Sequence, residues 1–187
     1  GYEIPPMTPF VGSAFNVTRA GIHADGLLKD EEIYNIFDTK RILNKSANVA
    51  VSNVSGLAGI DYILDQTEDV KANVYVMMPS CVPATAIDDN GCTLTAEDMA
   101  PYLHNSRILG LGEVMDSISV VQGEKSMHDK LELFEGRIRD GHAPFLEEGD
   151  LQAYAMAGIA TDHECSFFDY AMRERRNGLT ILVREGS

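Results

Sequence analysis

Short apolar segments alternate with helical segments from residue 59 to the end of the chain, at intervals of about 20 to 35 residues. This alternation predicts βαβ units, in which crossover helices join the strands of a parallel sheet. Right-handed crossovers bring the carboxyl end of every strand to one face of the sheet. A complete (β/α)₈ barrel typically needs about 250 residues, and this chain has 187. The predicted fold is therefore α/β, a partial (β/α) barrel of parallel strands with outer helices.

The predicted elements follow from local pattern. Leu131, Phe134 and Ile138 lie three and four residues apart, which indicates one face of an amphipathic helix. Thr95 is an expected N-cap, because acidic residues follow it in the first turn. We expect strands at Asn73–Met78, Ile108–Gly112, around His142, Ile159–Thr161 and Leu179–Val183, and helices at Gly59–Leu64, from Thr95, and at Met127–Arg139, Asp150–Ala157 and Ser166–Arg176.

Residues 1–58 differ in texture and are expected to form a small, mostly helical arm before the partial barrel of residues 59–187. The Pro-rich segment Ile4–Pro9 predicts an extended start, because proline restricts its own backbone and that of the preceding residue. A short helix is expected at Asp30–Phe37, with Asp30 as its N-cap, and a short strand at Asn48–Ser52.

The net charge of -14 disfavours two classes of partner. Phosphate backbones and anionic membrane surfaces are repelled by such a chain, so neither nucleic acid nor a membrane is expected to bind. The charge suits a small-molecule substrate or a metal ion better. Three widely spaced cysteines do not make a disulfide framework, and the first residues carry no secretory signal pattern, so a cytoplasmic location is expected.

Three metal-binding residue types follow successive predicted strands. Glu113, His142 and His163 are 29 and 21 residues apart, about one βα unit each, so their side chains are expected to converge at one rim of the sheet. Imidazole and carboxylate together suit Zn²⁺, Mn²⁺ or Fe²⁺. The alternative is that each histidine is an ordinary loop residue. Matching positions at three strand ends favour the metal site.

Further polar residues are weaker candidates. Asp162, Glu164 and Glu185 lie near the same expected rim and have the chemistry of an acid or base, although most carboxylates in so acidic a chain are solvated. Ser80 and Cys81 follow an apolar strand, where a proline-rich turn is an equally simple interpretation. In the arm, His23 and Asp25 lie in a Gly-rich cluster that is either a contact to substrate or a locally capped loop.

Six motifs occur in order between about Gly56 and Ser187: Asn73–Thr85, Leu94–Asp98, Gly110–Met115, Asp140–Pro144, Asp162–Cys165 and Arg184–Ser187. With these motifs the chain resembles bacterial adenine deaminase, of the amidohydrolase superfamily. The resemblance implies hydrolysis of adenine to hypoxanthine and ammonia, a reaction of purine salvage, at a divalent metal site that holds Mn, Fe or Zn. The resemblance also implies metal ligands: Glu113 as a bridging carboxylate, with His142 and His163. It implies that His163 and Glu164 act with Glu113 in catalysis. It further implies that Ser80, Cys81 and Glu185 contact the purine.

The chain departs from that family in two ways. No two histidines stand in the H-x-H spacing of the first barrel strand, and the final aspartate ligand of the family would lie beyond Ser187. Three ligands can hold one zinc-type ion, whereas a two-metal centre needs more. We therefore expect the chain alone to have weak or no deaminase activity.

Two stretches in residues 1 to about 58, Pro6–Gly12 and Asn16–Tyr34, differ from that family. They resemble the 2-isopropylmalate, homocitrate and Re-type citrate synthases, and His23 matches the histidine of that segment. In those synthases the segment forms a small helical subdomain that reaches toward a partner's active site. The two resemblances meet near Asn53–Ile60, as in a chimera.

Three hypotheses for function follow. The chain is an adenine-deaminase part-barrel with a metal site, or a non-catalytic chimeric protein that folds by oligomerising, or an accessory subdomain of an acyl-CoA-dependent synthase. An open part-barrel has exposed sheet edges and an uncovered inner face, so a homo-oligomer is expected in the first two cases.

Overall fold

The computed structural model describes residues 3–18, 27, 35, 38–49, 56–83 and 93–184. The chain divides into two compact units, Gly1–Val70 and Lys71–Ser187. Among the described residues, no helix is long and apolar enough to cross a membrane.

The described part of the first unit contains a two-stranded parallel sheet and two helices. Strand β1 (Val17–Thr18) pairs with β2 (Asn48–Val49). Helix α1 (Thr39–Leu43) begins after Asp38, whose side chain accepts a hydrogen bond from the Arg41 amide at 2.8 Å. Such a cap satisfies an amide that has no partner within the helix. The second helix, α2, spans Gly56–Gln66 and contains the predicted helix at 59–64.

From Pro6 onward the Pro-rich start folds into turns, whereas an extended conformation was predicted for Ile4–Pro9. The Thr8 amide donates to Pro5 O at 3.0 Å, which closes a turn with Pro6 at its second position. Proline suits that position because its ring presets φ. The Ala14 amide then donates back to Pro6 O at 2.8 Å. The predicted helix at 30–37 lies almost entirely outside the described residues.

The second unit is built on parallel strands in chain order. Strands β3 (Val76–Pro79), β4 (Ile108–Val114) and β5 (Ile138–Gly141) form one sheet in the order β3-β4-β5. Strands β6 (Thr161–Asp162) and β7 (Thr180–Ile181) pair in parallel beside it. The Ala160 amide donates to Arg139 O at 2.9 Å and so continues the strand order from β5 to β6. This confirms a mixed α/β fold with parallel strands, and the strands described do not close into a barrel.

Helices connect these strands and cover the sheet. The predicted Thr95 cap is confirmed, since its hydroxyl accepts from the Asp98 amide and the Asp98 carboxylate accepts from the Thr95 amide. Fully buried side chains from strands and helices form the core, among them Met78, Leu111, Phe134 and Tyr154. The helices are α3 (Ala96–Met99), followed by a 3₁₀ turn at Ala100–His104, then α4 (Ser117–Gln122), α5 (Lys125–Leu133), α6 (Glu148–Met156) and α7 (Phe168–Arg176).

The long helix predicted for 127–139 was wrong at its end. Helix α5 stops at Leu133, and Gly136 then adopts a φ of +78°, a conformation that favours glycine. Ile138 and Arg139 belong to β5 instead. The helical spacing of Ile138 from Leu131 is therefore a coincidence of sequence. The strand predicted around His142 ends at Gly141, so His142 follows it directly.

Candidate functional site

Three side chains predicted from the sequence to converge do so in the structure. Glu113 Oε1 lies 3.2 Å from His142 Nδ1 and 3.2 Å from His163 Nε2. The two imidazole rings are 5.6 Å apart between centroids, at 67° to each other. One ligand atom from each of the three residues lies within 4.8 Å of the others. We call this group the Glu113 centre.

Glu113 lies inside β4, whereas the sequence had predicted it just after the strand. The register between β4 and β5 shifts between Leu111 and Val114, and Glu113 has a φ of +29°. Irregularities of this kind change the direction of a side chain, so that it no longer follows the regular alternation between the two faces of a strand. A positive φ at a non-glycine residue costs about 1–3 kcal/mol and persists only where the surroundings enforce it. The local strain therefore marks Glu113 as a candidate functional position.

Ser80 and Tyr154 hold the backbone around this centre. The buried Ser80 hydroxyl donates to Glu113 O at 2.8 Å. The buried Tyr154 hydroxyl donates to Val114 O at 2.5 Å, and it accepts from the His142 amide at 3.0 Å. Burial raises the pKa of Tyr154, so its hydroxyl keeps its proton and remains a donor. Tyr154 thus connects the segments that carry Glu113 and His142, a role that no sequence motif indicated.

Lys130 supports the same region from α5. Its ammonium donates to Ser80 O at 2.8 Å, and the side chain is buried. Burial lowers the pKa of Lys130. Together, Lys130, Ser80 and Glu113 form a chain of contacts from a helix to the candidate centre.

Glu164 adds a second carboxylate to the centre. Its Oε1 lies 3.5 Å from His163 Nε2 and 3.9 Å from His142 Nδ1. The Arg184 guanidinium contacts the same oxygen. The carboxylate is therefore anchored beside both imidazoles, where a proton donor or acceptor is useful.

The donor set fits a divalent cation. His142 Nδ1 is buried and has no hydrogen-bond partner, although it faces the Glu113 carboxylate. A buried polar atom normally has a hydrogen-bond partner. An imidazole nitrogen that coordinates a metal ion has that ion as its partner instead. Two imidazoles and one carboxylate suit Zn²⁺, Mn²⁺ or Fe²⁺. The residues present would hold such an ion.

The other predicted site residues are either buried or outside the described part of the chain. Ser80 and Cys81 are both buried, and the Ser80 hydroxyl also lies 3.1 Å from Cys81 Sγ. Ser80 therefore contacts the Glu113 backbone, and Cys81 lies against Ser80. Glu185, His23 and Asp25 lie outside the described residues. Their predicted roles, and the synthase resemblance of residues 1–58, stay predictions.

Comparison with curated proteins identifies relatives for most of the chain. It is 58% identical over 137 residues, 73% of its length, to an adenine deaminase of Desulfitobacterium hafniense (strain Y51). It is 41% identical over 137 residues to adenine deaminase 2 of Carboxydothermus hydrogenoformans, and 43% identical over 137 residues to an adenine deaminase of Methanoculleus marisnigri. The matches cover 24%, 24% and 26% of these relatives, so the chain spans about a quarter of their length. No family model matches the chain.

Proposed function

We propose that the Glu113 centre is part of a divalent-metal site for the hydrolytic deamination of adenine to hypoxanthine and ammonia. The observation that carries this proposal is the convergence of Glu113, His142 and His163, with the buried Nδ1 of His142 lacking a hydrogen bond. The similarity to proteins named adenine deaminase supports the choice of substrate. The parallel strands in chain order support a partial (β/α) barrel as the scaffold.

The chemistry divides among few groups. A divalent ion, when bound, supplies Lewis acidity and a water nucleophile at neutral pH. Glu113, His142 and His163 would hold and orient that ion. Water adds its oxygen to C6 of adenine; one of its protons passes to ring N1 and the other to the exocyclic nitrogen, which leaves as ammonia. Glu164 would carry the proton that reaches the exocyclic nitrogen, a role supported by its Oε1, which lies beside both imidazoles and contacts Arg184.

Metal binding tests the centre first. We expect the chelator-treated chain to bind Mn²⁺, measured by mass spectrometry of metal content and by titration calorimetry. H142A and H163A should lose this ion, because each removes one of three ligands. H104A is the matched control, since His104 is an exposed histidine outside the centre. Mn²⁺ uptake by both variants equal to that of the parent would overturn the proposal.

Adenine recognition is tested separately from turnover. We expect the Mn²⁺-loaded chain to broaden the H2 and H8 proton resonances of adenine, because a paramagnetic ion acts only over short distances. Uracil is the control ligand, and H142A is the control protein. Broadening of adenine no greater than with H142A would refute purine binding at this centre.

Turnover is expected to be slow or absent in the chain alone, because the Glu113 centre offers three ligands, whereas a two-metal centre needs more. The assay incubates the chain with adenine and Mn²⁺ and follows hypoxanthine by chromatography. Brisk turnover would refute the expected weakness and would establish the reaction. E113Q should abolish any residual activity.

A further inference from the structure

A second group of potential ligands, separate from the Glu113 centre, lies between the end of β6 and α7. Asp162 ends β6, Cys165 follows in the loop, and Glu174 lies on α7. Cys165 Sγ is 2.6 Å from Glu174 Oε2 and 3.4 Å from Asp162 Oδ2. One potential ligand atom from each residue lies within 4.8 Å of the others. We call these three residues the thiol cluster.

Burial makes this cluster costly without a cation. The Asp162 and Glu174 side chains are both 0% exposed. Among the residues that the structure describes, neither carboxylate forms a salt bridge with a lysine, arginine or histidine. A buried charge normally requires pairing with an opposite charge or coordination to a metal.

Hydrogen bonds satisfy only part of the cluster. Asp162 Oδ1 accepts from the Ala143 amide at 2.7 Å, and its Oδ2 accepts from the Glu164 amide at 2.8 Å. Glu174 Oε2 faces the Cys165 thiol, but Glu174 Oε1 is buried and has no hydrogen-bond partner.

We propose that the thiol cluster is a second metal site, which binds a thiophilic divalent ion such as Zn²⁺ through Cys165, Asp162 and Glu174. A thiolate with two carboxylates is a donor set that zinc accepts, and the sulfur disfavours Mg²⁺, Ca²⁺ and Mn²⁺. On binding, the S–H proton of Cys165, with any proton on Glu174, passes to solvent and the sulfur lone pair forms the metal bond. Cys165 is partly exposed, which gives the ion a route in from solvent.

The site would have a structural consequence for the Glu113 centre. Asp162 precedes His163 directly and also binds the amide after His142. An ion that joins Asp162 to α7 would hold Asp162 in place, and it would thereby restrict the two loops that carry the imidazoles. The proposal does not depend on the deaminase assignment, because none of its three ligands belongs to the Glu113 centre.

Cadmium titration of the chelator-treated chain tests the proposal, because thiolate coordination to Cd²⁺ produces an ultraviolet charge-transfer absorption that imidazole and carboxylate do not. We expect this band to saturate at one equivalent per chain, and Zn²⁺ to suppress it by competition. C165S should abolish the band. E174Q, which preserves the side-chain shape, should weaken Cd²⁺ binding at least tenfold.

Two controls separate this site from others. C81S removes a different buried cysteine and should retain the band. H142A should lose Mn²⁺ binding at the Glu113 centre and keep the Cd²⁺ band. Absence of the band in the folded parent, or its persistence in C165S at full intensity, would overturn the proposal. Circular dichroism of each variant shows that the fold is retained.

Discussion

Tyr154 is the side chain whose single oxygen links two segments of the Glu113 centre, so Y154F is a sharp perturbation. The substitution keeps the buried ring and removes only the hydroxyl. Val114 O then loses its donor at 2.5 Å, and the His142 amide loses its acceptor at 3.0 Å. The contact to Val114 O is buried and the contact to the His142 amide is part-buried, so water does not readily replace the first.

The expected cost follows from these two groups. A buried polar group left without a partner costs about 1–3 kcal/mol. Relaxation around the small void reduces the sum, so we expect the free energy of unfolding to fall by roughly 2–3 kcal/mol. For a chain of this size that corresponds to a decrease in Tm of about 4–12 °C.

Urea unfolding followed by circular dichroism measures this change. The midpoint should fall while the slope stays constant, because Y154F alters stability and not the surface exposed on unfolding. Y75F is the matched control, since Tyr75 is 57% exposed and should change stability by less than about 0.5 kcal/mol.

Mn²⁺ affinity tests the link to the site. Groups that orient metal ligands contribute about 10- to 100-fold to affinity, so Y154F should weaken Mn²⁺ binding at least tenfold under conditions where it remains folded. Stability equal to that of the parent would refute the hydrogen-bond reasoning. Lost stability with unchanged Mn²⁺ affinity would refute the positional role.

Three further predictions rest on separate features. G110A should prevent stable folding, because a Cβ there would lie 2.0 Å from Ile138 O; the measurement is loss of a cooperative thermal transition. G149A is the control, since position 149 on α6 has open space around it, and it should raise the free energy of unfolding by up to about 1 kcal/mol. S80A should lower Mn²⁺ affinity while the chain stays folded, because Glu113 O loses its 2.8 Å donor; calorimetric affinity equal to that of the parent would contradict this. Burial raises the pKa of Glu174 from 4.5 to about 7, so the folded state holds its proton more tightly than the unfolded state. Stability of the metal-free chain should therefore fall as pH rises from about 4.5 to 7, and E174Q should flatten that dependence in urea titrations.

Much of the candidate site could be predicted from the sequence, because the carboxyl ends of parallel strands lie at the same edge of a sheet. The spacing of Glu113, His142 and His163 by about one βα unit each was sufficient to predict their convergence, and the structure brings them together. Helix starts with a clear cap, such as Thr95, were also predictable, because capping depends on residues within one turn.

Other features depended on distant contacts. The end of α5 and the start of β5 were misplaced, because Ile138 continues the helical spacing but pairs with β4 in the folded chain. The positive φ of Glu113 arises where the register between two strands is irregular, which no local pattern reports.

Residue type and short-range spacing were enough to predict the alternation of strands and helices, the acidic charge and the residues available as metal ligands. Which groups are buried together emerged only from the folded chain. Folding placed Tyr154 and Ser80 beneath the Glu113 centre, and it brought Glu174 on α7 against Cys165 and Asp162. Packing between an outer helix and a strand end sets those contacts, and residues that far apart in the chain carry no mutual signal in one sequence.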